Sequence, residues 1–216
     1  MALAPVAAKP KLRGVFHELA FYASIGVGIP LGLTAEAGRA RASAIVFAAC
    51  VAICFGASAL YHRPTWQPRT RSWLARLDHA GIYFLIAGTY TPFGLLVLSR
   101  GWAIPVLAIV WTGSAAGILL KLLRPGLSKR VSAAIAIALG WVAAVAFSQL
   151  LKLPVVGLVL LLVGGVAYTA GGVVYALKRP NPLPRVLGYH EVFHLCTLVA
   201  AACQYCAIAF YVLPRA

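Results

Sequence analysis

His190 and His194 stand four residues apart in the run Tyr189-His190-Glu191-Val192-Phe193-His194, so on a helix their imidazoles share one face and can grip the same ion. A third ligand has to come from another segment. His62, which closes Ser58-Ala59-Leu60-Tyr61-His62, reaches the same depth when the apolar runs are stacked as membrane helices, and it is the residue expected to complete the set. Three neutral imidazoles leave a fourth tetrahedral position for water, the pattern of a catalytic zinc site, and zinc brings the pKa of water to roughly 7. Asp78 is then placed to accept or orient a proton of that water. Ser58, one turn before His62, can hydrogen-bond a substrate carbonyl or steady a ligand. The competing reading keeps these histidines as interfacial residues without metal.

Two further patterns carry chemistry on paper. His190-Glu191-Val192-Phe193-His194 also fits the H-E-x-x-H pattern of zinc proteases, in which the glutamate is the general base. The test between the readings is whether Glu191 or Asp78 is essential. Cys203 and Cys206 form a C-x-x-C inside an apolar run, where packing explains cysteines more often than redox or metal chemistry does. His79, a helical neighbour of Asp78, points to a different face and is read as a bystander.

The elements that must position these groups are membrane helices. The chain of 216 residues is 62% hydrophobic and holds only four carboxylates, too apolar to wrap one soluble core in a polar surface. Apolar runs predict spans near 16–35, 43–62, 79–98, 102–121, 130–151, 154–177 and 189–213, each close to the roughly 20 residues a bilayer crossing takes. The expected fold is therefore all-α, one seven-helix integral membrane domain over 1–216, with 1–14 as a short N-terminal segment and no cleavable signal peptide. Gly164-Gly165 and Gly171-Gly172 are expected to let the sixth span approach a neighbour closely. Of the 19 Lys and Arg residues, 14 fall on the side of the N-terminus and five (Arg39, Arg41, Arg100, Lys152, Arg215) on the other. That bias places the N-terminus in the cytoplasm and the C-terminus outside, in a multi-pass protein of the cell membrane.

The formal charge of +15 is scattered through short connections, which fits anionic lipid headgroups and does not form the stripe that nucleic acid would need. Membrane lipids are the expected partners, one of them as substrate. On this map His17, Glu18, His62, Asp78, His79, His190, Glu191 and His194 all gather at the cytoplasmic end, while Glu36 lies at the other. Ionisable groups beside membrane spans are costly and usually face a bundle interior, so the cluster marks the functional end.

Three stretches together, Ser58 to His62, Asp78-His79-Ala80-Gly81-Ile82-Tyr83 running on to Thr89-Tyr90-Thr91-Pro92-Phe93, and His190 to His194, resemble the hemolysin III family, within the superfamily of adiponectin and progestin receptors. The resemblance covers nearly the whole chain. It implies seven helices with a cytoplasmic N-terminus and, by analogy with the receptor branch, zinc held by His62, His190 and His194. It also implies that Ser58 and Asp78 flank the metal, with Asp78 near the bound water, and that the activity is hydrolysis of a lipid amide or ester, ceramide-type amides being the receptor-branch substrates. The alternatives implied are a non-enzymatic membrane-homeostasis or signalling protein with a structural zinc, or a cytolysin. One departure stands out: bacterial members carry E-x-x-N-x-x-T-H in helix 1, whereas Phe21, Ser24 and Ile25 follow Glu18 here.

Overall fold

Apolar runs broken by proline, glycine and basic residues fold into helices wherever the backbone must satisfy its own hydrogen bonds away from water. The structure is a computed structural model that describes residues 9–124 and 126–215. The first eight residues of the expected 1–14 segment therefore lie outside the described residues. The elements are α1 (Val15–Thr34), α2 (Arg39–His62), α3 (Pro68–Leu96), α4 (Arg100–Leu123), α5 (Lys129–Gly140), α6 (Phe147–Leu150), α7 (Val155–Leu177) and α8 (Tyr189–Ala207). A 3₁₀ segment, Val142–Ala146, joins α5 and α6 into one interrupted rod, and α8 runs on through a π segment, Ile208–Val212, to Leu213–Arg215. Among the described residues this makes seven helical rods and no strand, as the all-α expectation requires.

Six of the rods are long and apolar enough to cross a membrane; α3 is not among them. Its first half carries Arg69, Arg71, Arg76 and Asp78, and its second half is rich in small and hydroxyl-bearing residues that are buried almost continuously from Leu85 to Gly94. The reason is location. α3 packs against α2, α4, α5 and the π segment, so protein takes the place that lipid takes around the others. The outer helices show the reverse pattern, with Leu33 73% and Val155 76% exposed along with many other large apolar side chains. Exposed apolar surface on that scale marks a lipid-facing wall, and the chain is a multi-pass membrane protein.

Three boundaries differ from those read off the sequence. α3 starts at Pro68, not 79, because proline at a first helical position is favourable and the arginine-rich prefix continues the helix into the polar zone. α2 begins at Arg39, not 43. The fifth span breaks after Gly140, and Tyr90 explains how the break is tolerated: its hydroxyl donates to the Gly140 carbonyl (2.7 Å) and accepts from the Ala143 N–H (2.8 Å). Both backbone groups freed by the 3₁₀ turn are thus satisfied inside the bundle.

Close helix contact follows the glycines of α7 in part. A Cβ on Gly164 would stand 2.6 Å from Gln204 Nε2, and one on Gly171 2.9 Å from Cys196 Cβ, so these two, with Gly157 against Tyr211, bring α7 onto α8. Gly172 faces Ile137 of α5 instead, and Gly165 has open space around it.

Candidate metal centre

The polar end of the bundle is built where α2 stops, α3 passes and α8 starts. His62 is the last residue of α2, while His190 and His194 occupy the first turns of α8 on one face. All three are buried, and one ligating atom from each lies within 4.8 Å of the others. His62 Nε2 is the hub, 3.0 Å from His190 Nε2 and 3.5 Å from Asp78 Oδ2. The His190 and His194 rings stand 4.5 Å apart, and His62 meets both edge-on. The structure therefore brings His62, His190 and His194 together, as their helical spacing and shared depth predict, with Asp78 beside them.

Ser58 joins the group through a residue the sequence reading left out of the site. His17, at the start of α1, is 3% exposed; its Nδ1 is 2.8 Å from Ser58 Oγ, and its ring stacks on His194 with centroids 3.6 Å apart. The signal for it was present, since His17 sits among the polar residues at the same end. What sequence could not supply is the packing of α1 against α8. His79 points away from His62, toward the Tyr175 hydroxyl at 3.4 Å, as its helical offset from Asp78 requires, yet both residues line one cavity. That cavity has a volume of about 120 Å³ and is also lined by Ser58, His190, His194 and a mostly apolar wall from α3, α5 and α7.

Glu191, the base of the alternative H-E-x-x-H reading, is employed elsewhere. It is fully buried, accepts the Gly188 N–H on Oε2 at 2.8 Å and pairs with Arg13 through Oε1. It closes a capping box at the start of α8 and does not line the cavity.

The segment before α1 laces these pieces together. Lys11 and Leu12 donate backbone hydrogen bonds to the Arg185 and Val186 carbonyls, Arg13 reaches Glu191, and Lys9 donates to the His62 carbonyl. Desolvation, and then repulsion from Arg13, Arg63 and Arg71, lowers the Lys9 pKa. Gly14 allows the approach: its φ is +82°, and a Cβ there would stand 2.5 Å from His62 Cβ.

Against known sequences, residues 6–205 match the model of Haemolysin-III related proteins. The chain belongs to this family. It is 37% identical over 153 residues to Hemolysin-3 of Bacillus cereus, an alignment covering 69% of this chain and 66%, just under two thirds, of that protein. Over 167 residues it is 30% identical to the Hemolysin-3 homolog of Bacillus subtilis (strain 168), covering 77% of this chain and 75% of the relative. The family match includes every residue of the histidine cluster.

The donor set suits a metal of zinc's preference. Two nitrogens bound to one tetrahedral zinc at about 2.0–2.1 Å would be about 3.4 Å apart; His62 Nε2 and His190 Nε2 stand 3.0 Å apart, and the ligating atoms of all three histidines lie within 4.8 Å of one another. Buried imidazole nitrogens ordinarily have partners, yet His194 Nδ1 has none among the described residues.

Proposed function

We propose that this chain is a seven-span membrane protein, its N-terminus in the cytoplasm, that holds zinc on His62, His190 and His194 and hydrolyses an amide or ester bond of a lipid. The observation that carries the reading is the convergence of three buried imidazoles within 4.8 Å at the edge of a largely apolar cavity. The seventh span is α3, shielded by its neighbours, and the excess of Lys and Arg at the histidine end sets the orientation, in the plasma membrane.

When bound, zinc supplies Lewis acidity and lowers the pKa of water toward neutrality. The protein's own groups do the remainder. Asp78 Oδ2, 3.5 Å from His62 Nε2, is placed to take and return a proton during attack on the carbonyl. Ser58 Oγ, held by His17 at 2.8 Å, offers a hydrogen bond to the substrate. The apolar wall seats the lipid and keeps bulk water away from the reacting carbonyl.

The test is metal content and lipid-amide turnover of the detergent-purified protein, wild type beside His194→Ala and Asp78→Asn. The reading expects near-stoichiometric zinc lost in the first variant, and zinc kept but turnover lost in the second. Zinc and turnover both retained in His194→Ala would end it. A second reading, a structural zinc in a homeostasis or signalling protein, draws on the lacing of residues 9–14 onto the ends of α2 and α8; it expects function to survive Asp78→Asn. The lytic activity implied by the relatives' names rests on those names alone.

A further inference from the structure

Lys121, in the last turn of α4, is 5% exposed and is buried by protein, not by lipid. It lines the same cavity as His190 and His194. Its ammonium donates to Ser132 Oγ of α5, and the Ser132 hydroxyl is itself committed to the Ser128 carbonyl at 3.0 Å. A buried ammonium ordinarily has a carboxylate. Lys121 has none among the described residues, and the chain has none to spare. Of its four carboxylates, Glu191 pairs with Arg13, Glu18 with Arg63, and Asp78 faces His62; Glu36 lies in the link between α1 and α2, at the other end of the bundle.

The surroundings repeat the pattern. Lys129, at the start of α5, lies over the Tyr175 and Tyr189 rings at 4.7 and 5.0 Å and donates to the Tyr189 hydroxyl at 2.7 Å, again without a carboxylate. Tyr175 lines the cavity and meets His79 Nε2 at 3.4 Å. The cavity thus holds His190, His194 and Asp78 together with a buried ammonium that has no carboxylate partner among the described residues.

We propose that Lys121, positioned by Ser132, forms a subsite for an oxyanion head, a phosphate or carboxylate, on the lipid that enters this cavity. Anion binding there stands on its own; the further step, that the substrate of the histidine site is an anionic lipid and not a neutral one, rests on the hydrolase reading. A charge-assisted contact to a desolvated ammonium favours a head with net negative charge, because the choline of a zwitterionic head sets a second cation beside the same phosphate; Arg keeps the positive charge at this position and Met removes it.

The experiment is native mass spectrometry of the full chain in nonionic detergent, titrated with dioleoyl phosphatidylglycerol or dioleoyl phosphatidylcholine. The proteins compared are wild type, Lys121→Met, Lys121→Arg and, as a control for general basicity, the exposed Lys178→Met. The expected result is one tightly bound phosphatidylglycerol, weakened about tenfold or more by Lys121→Met and little changed by the other two. The delipidated Lys121→Met protein should also melt higher than wild type, since an unpaired buried charge is gone. Competition by oleate assigns the head as a carboxylate, and competition by inorganic phosphate alone assigns a soluble oxyanion; both support the subsite. Should Lys121→Met fail to fold, Ser132→Ala carries the comparison, with a loss of about threefold expected. Equal binding in wild type and the Lys121 or Ser132 variant, equal binding of phosphatidylcholine, or an equal loss in Lys178→Met would overturn the proposal. Zinc content keeps the two readings apart. A protein without zinc that still binds phosphatidylglycerol through Lys121 sinks the hydrolase and leaves the subsite.

Discussion

Glu191→Gln separates a structural glutamate from a catalytic one, because the two roles predict opposite readouts. The carboxylate is fully buried, pairs with Arg13 and caps the Gly188 N–H. Glutamine keeps the shape and one acceptor oxygen but turns an amide toward the guanidinium. Breaking a buried ion pair from one side costs about 3–5 kcal/mol, and water reaching the 23% exposed Arg13 recovers part of that, leaving about 2–4 kcal/mol. For a chain of this size, at about 2–4 °C per kcal/mol, the melting temperature should fall by about 4–16 °C. Circular dichroism of the detergent-solubilised protein measures that shift. Zinc content and lipid-amide turnover, taken well below the melting point, should stay within about threefold of wild type. A variant that melts like wild type, keeps its zinc and loses turnover by two orders of magnitude or more would refute the reasoning and restore Glu191 as the general base.

The triple variant His62→Ala, His190→Ala, His194→Ala should lose bound zinc while keeping its helix content, read by metal analysis beside circular dichroism; retained zinc would mean the ion sits elsewhere. Gly14→Ala places a side chain at a positive φ and against His62 Cβ, so zinc affinity should drop about tenfold or more, measured by competition with a chromophoric chelator. Gly164→Val drives methyl groups into Gln204 and the Ala200 carbonyl and should cost about 1–3 kcal/mol in thermal unfolding, whereas Gly165→Ala, which meets open space, should be close to neutral.

The candidate metal centre was legible to the degree that it depends on local spacing. His190 and His194 share a helical face by arithmetic, and His62 and Asp78 fall at the same end once the spans are counted. His17 was legible only as one of the ionisable residues at that end; its contact with Ser58 and its ring stacked on His194 come from the α1–α8 packing, which local spacing does not encode. The same limit explains Lys121, which in sequence resembles every other basic residue near a span end; only the packing of α4 against α5 encloses it. At Glu191 the H-E-x-x-H pattern and the structure point to different roles: the pattern offers a general base, while the side chain closes a capping box and pairs with Arg13. The long α3 was half visible, its arginine-rich first turns looking like a polar link until the helix is seen to continue through them.

The enclosure of α3 also bears on how the protein is made. Machinery that releases segments into a bilayer weighs each by its own apolarity, and α3 is the one rod that does not meet the mark alone. In the seven-span arrangement its glycines lie against α2 and α4: a Cβ on Gly81 would stand 3.1 Å from Cys54 Cα, and Gly117 of α4 receives the Tyr83 ring. The segment carrying Asp78 would then enter the membrane as a guest of its neighbours, held at the protein channel until α2 and α4 can cover it. Enlarging the α2 surface at Cys50 or Cys54 should therefore show itself first as chains stalled at insertion and cleared by quality-control proteolysis, before any folded protein exists to be assayed.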